Sequence, residues 1–91
     1  MSKGEDQKMA AYCKALGHPV RLQILRQLHE IGACFSGDIS SQLPVAASTA
    51  SQHLKILKEA GVITGTVDGT RRCYCINKKA FLDLKDWVAR L

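Results

Sequence analysis

The 91-residue chain predicts a mainly helical fold with one small β-hairpin, in a single domain spanning residues 1–91. Three observations lead there. Apolar residues recur at three- and four-residue steps in four separate segments, the signature of helices with one buried face. A single Asp68-Gly69 pair sits between two β-prone runs, a strong hairpin signal. The apolar fraction of 46% in so short a chain supplies one small core and not two.

The elements follow in order. Glu5 to Leu16 carries Met9, Tyr12, Cys13 and Leu16 at helical spacing, with Gly17 as a stop. His18-Pro19 opens a second helix, because proline suits a first helical position, and Val20, Ile24, Leu25, Leu28 and Ile31 form its stripe up to Gly32. Ala33-Cys34-Phe35 is a short apolar strand. Ser36 is placed to cap a short third helix running to about Leu43, with Asp38 at the positive end of its dipole and Pro44 as its stop. The run Val45 to Val62 is then a fourth helix, ended by Gly61.

Val62–Val67 and Arg72–Ile76 form the hairpin. With the turn on Asp68-Gly69, Thr66 faces Arg71, Thr64 faces Cys73 and Val62 faces Cys75. Ile63, Tyr74 and Ile76 make the more apolar face and should pack on the helices, leaving Cys73 and Cys75 on the accessible one. Asn77 caps a last helix with Phe81, Leu84, Trp87, Val88 and Leu91 on its stripe.

Charge narrows the partners. Thirteen Lys and Arg against eight Asp and Glu leave a net +5, which favours polyanions and nucleic acid first. The start Met-Ser-Lys-Gly-Glu-Asp-Gln-Lys has no long apolar run behind it, so neither a secretory signal nor a membrane span is expected, and the cytoplasm is the expected location. Four cysteines lie below the density of a disulfide scaffold, and reduced thiols are the default expectation. No nucleophile is paired with a base and no glycine-rich phosphate loop is present, so an enzyme is not expected.

The fourth helix is the most informative segment. At about 100° per residue, Ala50, Leu54 and Leu57 share one face while Ser48, Ser51, Gln52 and Lys55 share the other. A helix entering the major groove needs short polar groups that reach base edges without holding the backbone away. Ser48, Ser51 and Gln52 meet that need, with Thr49 and His53 on the flank of the polar arc. Lys55 and the hairpin residues Arg71 and Arg72 suit phosphate contacts, which add affinity more than sequence preference. An ordinary solvated helix would carry more Glu and Lys pairs than this one. His53 fits a phosphate contact or a hydrogen bond within the fold equally well.

The element order α-α-β-α-α-β-β-α is a winged helix-turn-helix. Leu16-Gly-His-Pro-Val-Arg-Leu-Gln-Ile-Leu25, Ser48-Thr-Ala-Ser-Gln-His-Leu-Lys-Ile-Leu-Lys-Glu-Ala-Gly61 and Tyr74-Cys-Ile-Asn77 narrow this further: the chain resembles the ArsR/SmtB family of bacterial repressors over nearly its whole length. The resemblance implies a homodimer on an inverted-repeat double-stranded DNA operator, released when an effector binds. A lone monomer of this size reads too few base pairs for useful specificity, which also argues for pairing. The first and last helices are the expected dimer interface, with Met9, Tyr12, Phe81, Leu84, Trp87 and Val88 as its residues. The chain departs from the family at Ala46 and Ala47, where Ser and Gln are common, so a likely cap and a potential adenine contact are missing.

The family's Cys-x-Cys metal site would fall on Phe35 and Gly37 and is absent, and residues 78–91 contain no His for the site on the last helix. Cys34, Cys73 and Cys75 remain as candidate effector thiols. Cys34 is expected across from Cys73 or Cys75, and three thiolates there would suit As(III) or a soft metal. Oxidation or persulfidation of a low-pKa thiol, shifting the wing, is the redox version. The plain alternative keeps Cys34 as a small buried hydrophobe and Cys13 as helix packing. A protein-interaction module without a DNA role is the second functional reading, since winged helices also build protein interfaces.

Overall fold

The computed structural model describes residues 2–32, 34–36, 43–68 and 71–91. Its elements are α1 (Lys3–Leu16), α2 (Pro19–Ile31), β1 (Cys34–Ser36), α3 (Ala47–Ala60), β2 (Ile63–Asp68), β3 (Arg71–Ile76) and α4 (Lys78–Ala89). The short helix expected from Ser36 to Leu43 falls largely outside the described residues. Ser36 itself ends β1, opposite Cys73.

Local chemistry sets most boundaries. Ser2 caps α1 by accepting from the Glu5 N–H at 3.1 Å, so this helix begins two residues before the expected start. His18 caps α2 through Nδ1, which accepts from the Val20 N–H at 3.1 Å, with Pro19 in the first turn where its missing N–H costs nothing. Between the two helices Arg21 donates to the carbonyls of Lys14 and Ala15, closing the C-terminus of α1. Gly61 ends α3 at φ 87°, a left-handed conformation that favours glycine, and the Val62 N–H bonds back to the Leu57 carbonyl. Asn77 accepts from the Ala80 N–H to cap α4 and donates through Nδ2 to the Gly61 carbonyl at 2.8 Å, locking the start of α4 to the end of α3.

The three strands form an antiparallel sheet in the order β1-β3-β2. The hairpin register differs by two residues from the expected one: Thr66 pairs with Cys73, Thr64 with Cys75, and Asp68 with Arg71 as the last pair. Asp68 therefore belongs to β2 and not to the turn. A slip of two keeps Ile63, Tyr74 and Ile76 on one face and Thr64, Thr66, Cys73 and Cys75 on the other, as predicted. Ile63 is buried, Tyr74 and Ile76 pack against the core, and Thr64 and Thr66 are exposed. Gly65 sits beneath the Tyr74 ring, where a Cβ would come within 2.8 Å of Cδ1. Val62 precedes β2 and is fully buried instead of lying on the open face beside Cys75.

The core gathers Ile24, Leu25 and Leu28 of α2, Ala50, Leu54 and Leu57 of α3, Val62, Ile63 and Ala80, closed on one side by α1. Met9 and Tyr12, expected between two copies, are 3% and 5% exposed within a single chain and leave almost no surface for a partner. The reason is that the α1 stripe packs onto α3 and α4 of its own chain. Trp87 Nε1 donates to Asp6 at 3.3 Å and Arg90 pairs with Glu5 at 3.1 Å, so the terminal helices are first of all bound to each other. Phe81, Leu84 and Trp87 are partly buried against this core, while Val88 is exposed. No helix among the described residues is long and apolar enough to cross a membrane.

Candidate nucleic-acid interface

Helix α3 presents the surface that its sequence implies. Ala50, Leu54 and Leu57 point into the core, and Ser48, Thr49, Ser51, Gln52 and Lys55 are all exposed on the other side. The buried stripe fixes the rotation of the helix, so these short polar side chains stand on a rigid mount. Lys55 lies 3.9 Å from Glu59, one turn on, with both side chains mostly in water. Such a pair is worth a few tenths of a kcal/mol at most. Lys55 can exchange it for a phosphate.

The entry to α3 has no side-chain cap. Ala46 occupies the cap position in extended conformation, and the Ala50 N–H returns only to the Ala46 carbonyl. The first turn thus keeps free N–H groups and the positive end of the helix dipole. That favours a nearby anion such as a DNA phosphate.

His53 departs from the exposed arc. Its ring is half-buried and packs at 4.3 Å and a tilt of 46° against His18, the cap of α2. Its Nδ1 is buried with no hydrogen-bond partner among the described residues. Burial, then the nearby His18 and Arg21, hold its pKa below the usual 6.5. The ring fills the seam between α2 and α3, and among the described residues its Nδ1 does not make the hydrogen bond within the fold that was one of the two expectations for it. His18 and Arg21 belong to the same seam. The signal was present in the sequence, because Leu16-Gly-His-Pro and Ser-Gln-His each carry one of the two rings.

The wing carries Arg71 and Arg72 at the first two positions of β3, at the end distant from Asn77. On the sheet face opposite the core, Cys34 of β1 lies directly across from Cys75 of β3, with Cα atoms 4.0 Å apart, and the two are joined as a disulfide. The expectation of reduced thiols is corrected here. Directly opposed residues of an antiparallel pair project on one side at close range, which is what an S–S bond needs. Cys73 is free and half-buried opposite Ser36, and Cys13 is free and exposed on α1 instead of packed. Among the described residues no group of three His, Cys, Asp or Glu side chains is placed to hold a metal ion. With two of the three wing thiols joined to each other, the donor set does not fit a three-thiolate site for As(III) or a soft metal.

Comparison with known proteins identifies the domain. Residues 16–66 match the model of a family described as a helix-turn-helix domain. An HTH-type transcriptional regulator of Methanocaldococcus jannaschii is 40% identical over 70 residues, covering 77% of this chain and 79% of that protein. The HTH-type transcriptional repressor SmtB of Mycobacterium tuberculosis is 44% identical over 61 residues, covering 67% of this chain and 44% of the longer repressor. Among solved structures, HlyU from Vibrio cholerae superposes with a TM-score of 0.72 at 27% identity, covering 99% of this chain and 96% of that one. An ArsR-like transcriptional regulator from Rhodococcus sp. RHA1 reaches 0.80 at 20% identity, covering 96% and 81%, and shows the same fold. Such regulators are a DNA-binding class, in keeping with the exposed polar face of α3. The chain belongs to the ArsR/SmtB family of helix-turn-helix transcriptional regulators.

Proposed function

We propose that this regulator is a cytoplasmic, homodimeric repressor whose α3 helices read an inverted-repeat operator while the wings grip the flanking backbone. The observation that carries this reading is the exposed row Ser48, Thr49, Ser51, Gln52 and Lys55 above the buried Ala50, Leu54 and Leu57. Ser48, Ser51 and Gln52 make the base-edge contacts, Gln52 being suited to adenine. Lys55, Arg71 and Arg72 neutralise phosphates. Pairing uses the C-terminal end of α4, where Val88 and Leu91 are 52% and 77% exposed, with Phe81, Leu84 and Trp87 behind them.

A gel shift on the DNA upstream of the protein's own gene tests the assignment. Ser51→Ala and Gln52→Ala should each lose about 1–3 kcal/mol of discrimination against unrelated duplex. Arg71→Ala and Arg72→Ala should weaken all duplexes alike and reduce the slope of log affinity against log salt by about one each. Binding unchanged in both α3 variants would remove α3 as the reading helix.

A further inference from the structure

The Cys34–Cys75 bond is unused by the DNA-reading surface, yet it brackets that surface. It joins positions 41 residues apart, and between them lie α3, β2 and most of β3. It fastens β1, the strand that precedes the helix-turn-helix, to β3, the strand that carries Arg71 and Arg72. β1 has only three residues and one neighbour in the sheet, so without the bond it is held by a short edge ladder and by Phe35 packed against the core. Cys34 is exposed and Cys75 half-buried, which leaves the bond within reach of reagents from solvent. Cys73, at the next position on the same face, is free and so marks the joined pair as a specific choice of partner.

We propose that Cys34 and Cys75 form a reversible redox site, closed by a hydroperoxide and opened by a dithiol, and that closing it tightens the grip on DNA. This inference rests on the reading of α3 and the wing as the DNA surface. In the open state the Cys34 thiolate attacks the terminal peroxide oxygen. The O–O bond breaks, an S–O bond forms, and the alcohol or water leaves with a proton from solvent. The Cys75 sulfur then attacks the Cys34 sulfenic acid, the S–S bond forms, and hydroxide leaves as water with the Cys75 proton. Two thiols are oxidised by two electrons and the hydroperoxide is reduced by two. In reverse, one thiolate of the dithiol attacks the disulfide and its second thiol displaces the mixed disulfide, so the reductant departs oxidised.

The closed form binds more tightly because the wing is held against β1 before DNA arrives. An open form that holds this arrangement about a tenth of the time binds about tenfold more weakly.

The test uses the full chain, cycled between hydrogen peroxide and dithiothreitol. N-ethylmaleimide labelling read by mass should count all four cysteines after reduction and two, Cys13 and Cys73, after oxidation. Fluorescence anisotropy on the upstream duplex should show about tenfold tighter binding by the oxidised chain, reversed by dithiothreitol. Cys73→Ser should keep the response, whereas Cys34→Ser and Cys75→Ser should stay at the reduced affinity in either condition. The reduced wild type carries no substitution and serves even where a variant fails to fold. Equal affinity of the two states while the thiol count cycles overturns the switch and leaves the DNA surface standing. A pair that dithiothreitol and peroxide cannot cycle overturns it as well, making the bond purely structural. Loss of DNA binding in both states while the thiols still cycle would remove the DNA reading and the switch with it.

Discussion

His53 shows how one residue can belong to a DNA-binding motif and yet serve the fold. The ring lies 4.3 Å from His18, with Arg21 close by on α2, and it is kept neutral first by burial and then by these two neighbours. The sign of its effect on stability follows. The unfolded chain takes up a proton on this ring near pH 6.5, while the folded chain resists protonation until a lower pH. In that window the unfolded state holds more protons, so stability falls as pH drops through 6.5 towards the lowered value, and is fully present above it. Urea midpoints should therefore decrease between pH of about 7.5 and 5.5. His53→Leu should flatten the dependence while leaving salt-dependent DNA binding in place. A decrease of the same size in the variant would assign the effect to other groups, and a flattened salt dependence would return His53 to the phosphates.

At the scale of elements, the uncapped start of α3 is the feature with the most direct consequence. Ala46 already holds the extended geometry of a cap residue, φ −62° and ψ 151°, and is exposed, but has no oxygen to offer the free N–H groups. Ala46→Ser should therefore stabilise the chain by about 1 kcal/mol, read as a rise in Tm of roughly 4–8 °C. Ala47→Ser, one position inside the helix, is the control and should bring no comparable gain. This gap was legible in the sequence, as were the Asn77 cap, the Gly61 stop and the faces of the hairpin, because caps and alternation are set by neighbours a few residues away. Where the answer depends on how distant segments meet, legibility ends. The Asp68-Gly69 pair identified a hairpin, but the strands continue through Asp68 and shift the register by two. The stripe of α1 showed that Met9 and Tyr12 are buried without showing by what, and their own chain does it. Cys34 was expected opposite one of two thiols, and only the β1–β3 register selects Cys75. The polar arc of α3 came through nearly intact because a buried stripe on one side dictates what the other side presents. His53, on the border between the two, was the one position that periodicity alone could not assign.

At the scale of the whole molecule, one chain exposes more surface than its mass calls for. Its accessible area is 5858 Å², against about 5,200 Å² for a compact monomer of this mass. Leu82, Val88 and Leu91 are among the most exposed apolar side chains, although Trp87–Asp6 and Arg90–Glu5 contacts hold α4 to α1. Internal packing has therefore left Val88 and Leu91 open at the rim of the buried stripe of α4, a cost in water that a second copy removes. An isologous contact there would set the two α3 helices on one side of a two-fold axis, as an inverted repeat requires. The chain is expected to sediment at micromolar concentration as twice its 10.0 kDa mass, with a Tm that rises with protein concentration because association and folding are linked. Val88→Glu with Leu91→Glu, both at exposed positions, should leave the monomer folded, halve the sedimenting mass, remove the concentration dependence and weaken operator binding far more than binding to random duplex. Sedimentation of the wild type as a monomer would refute the pairing, and an unaltered dimer in the double variant would move it to another face.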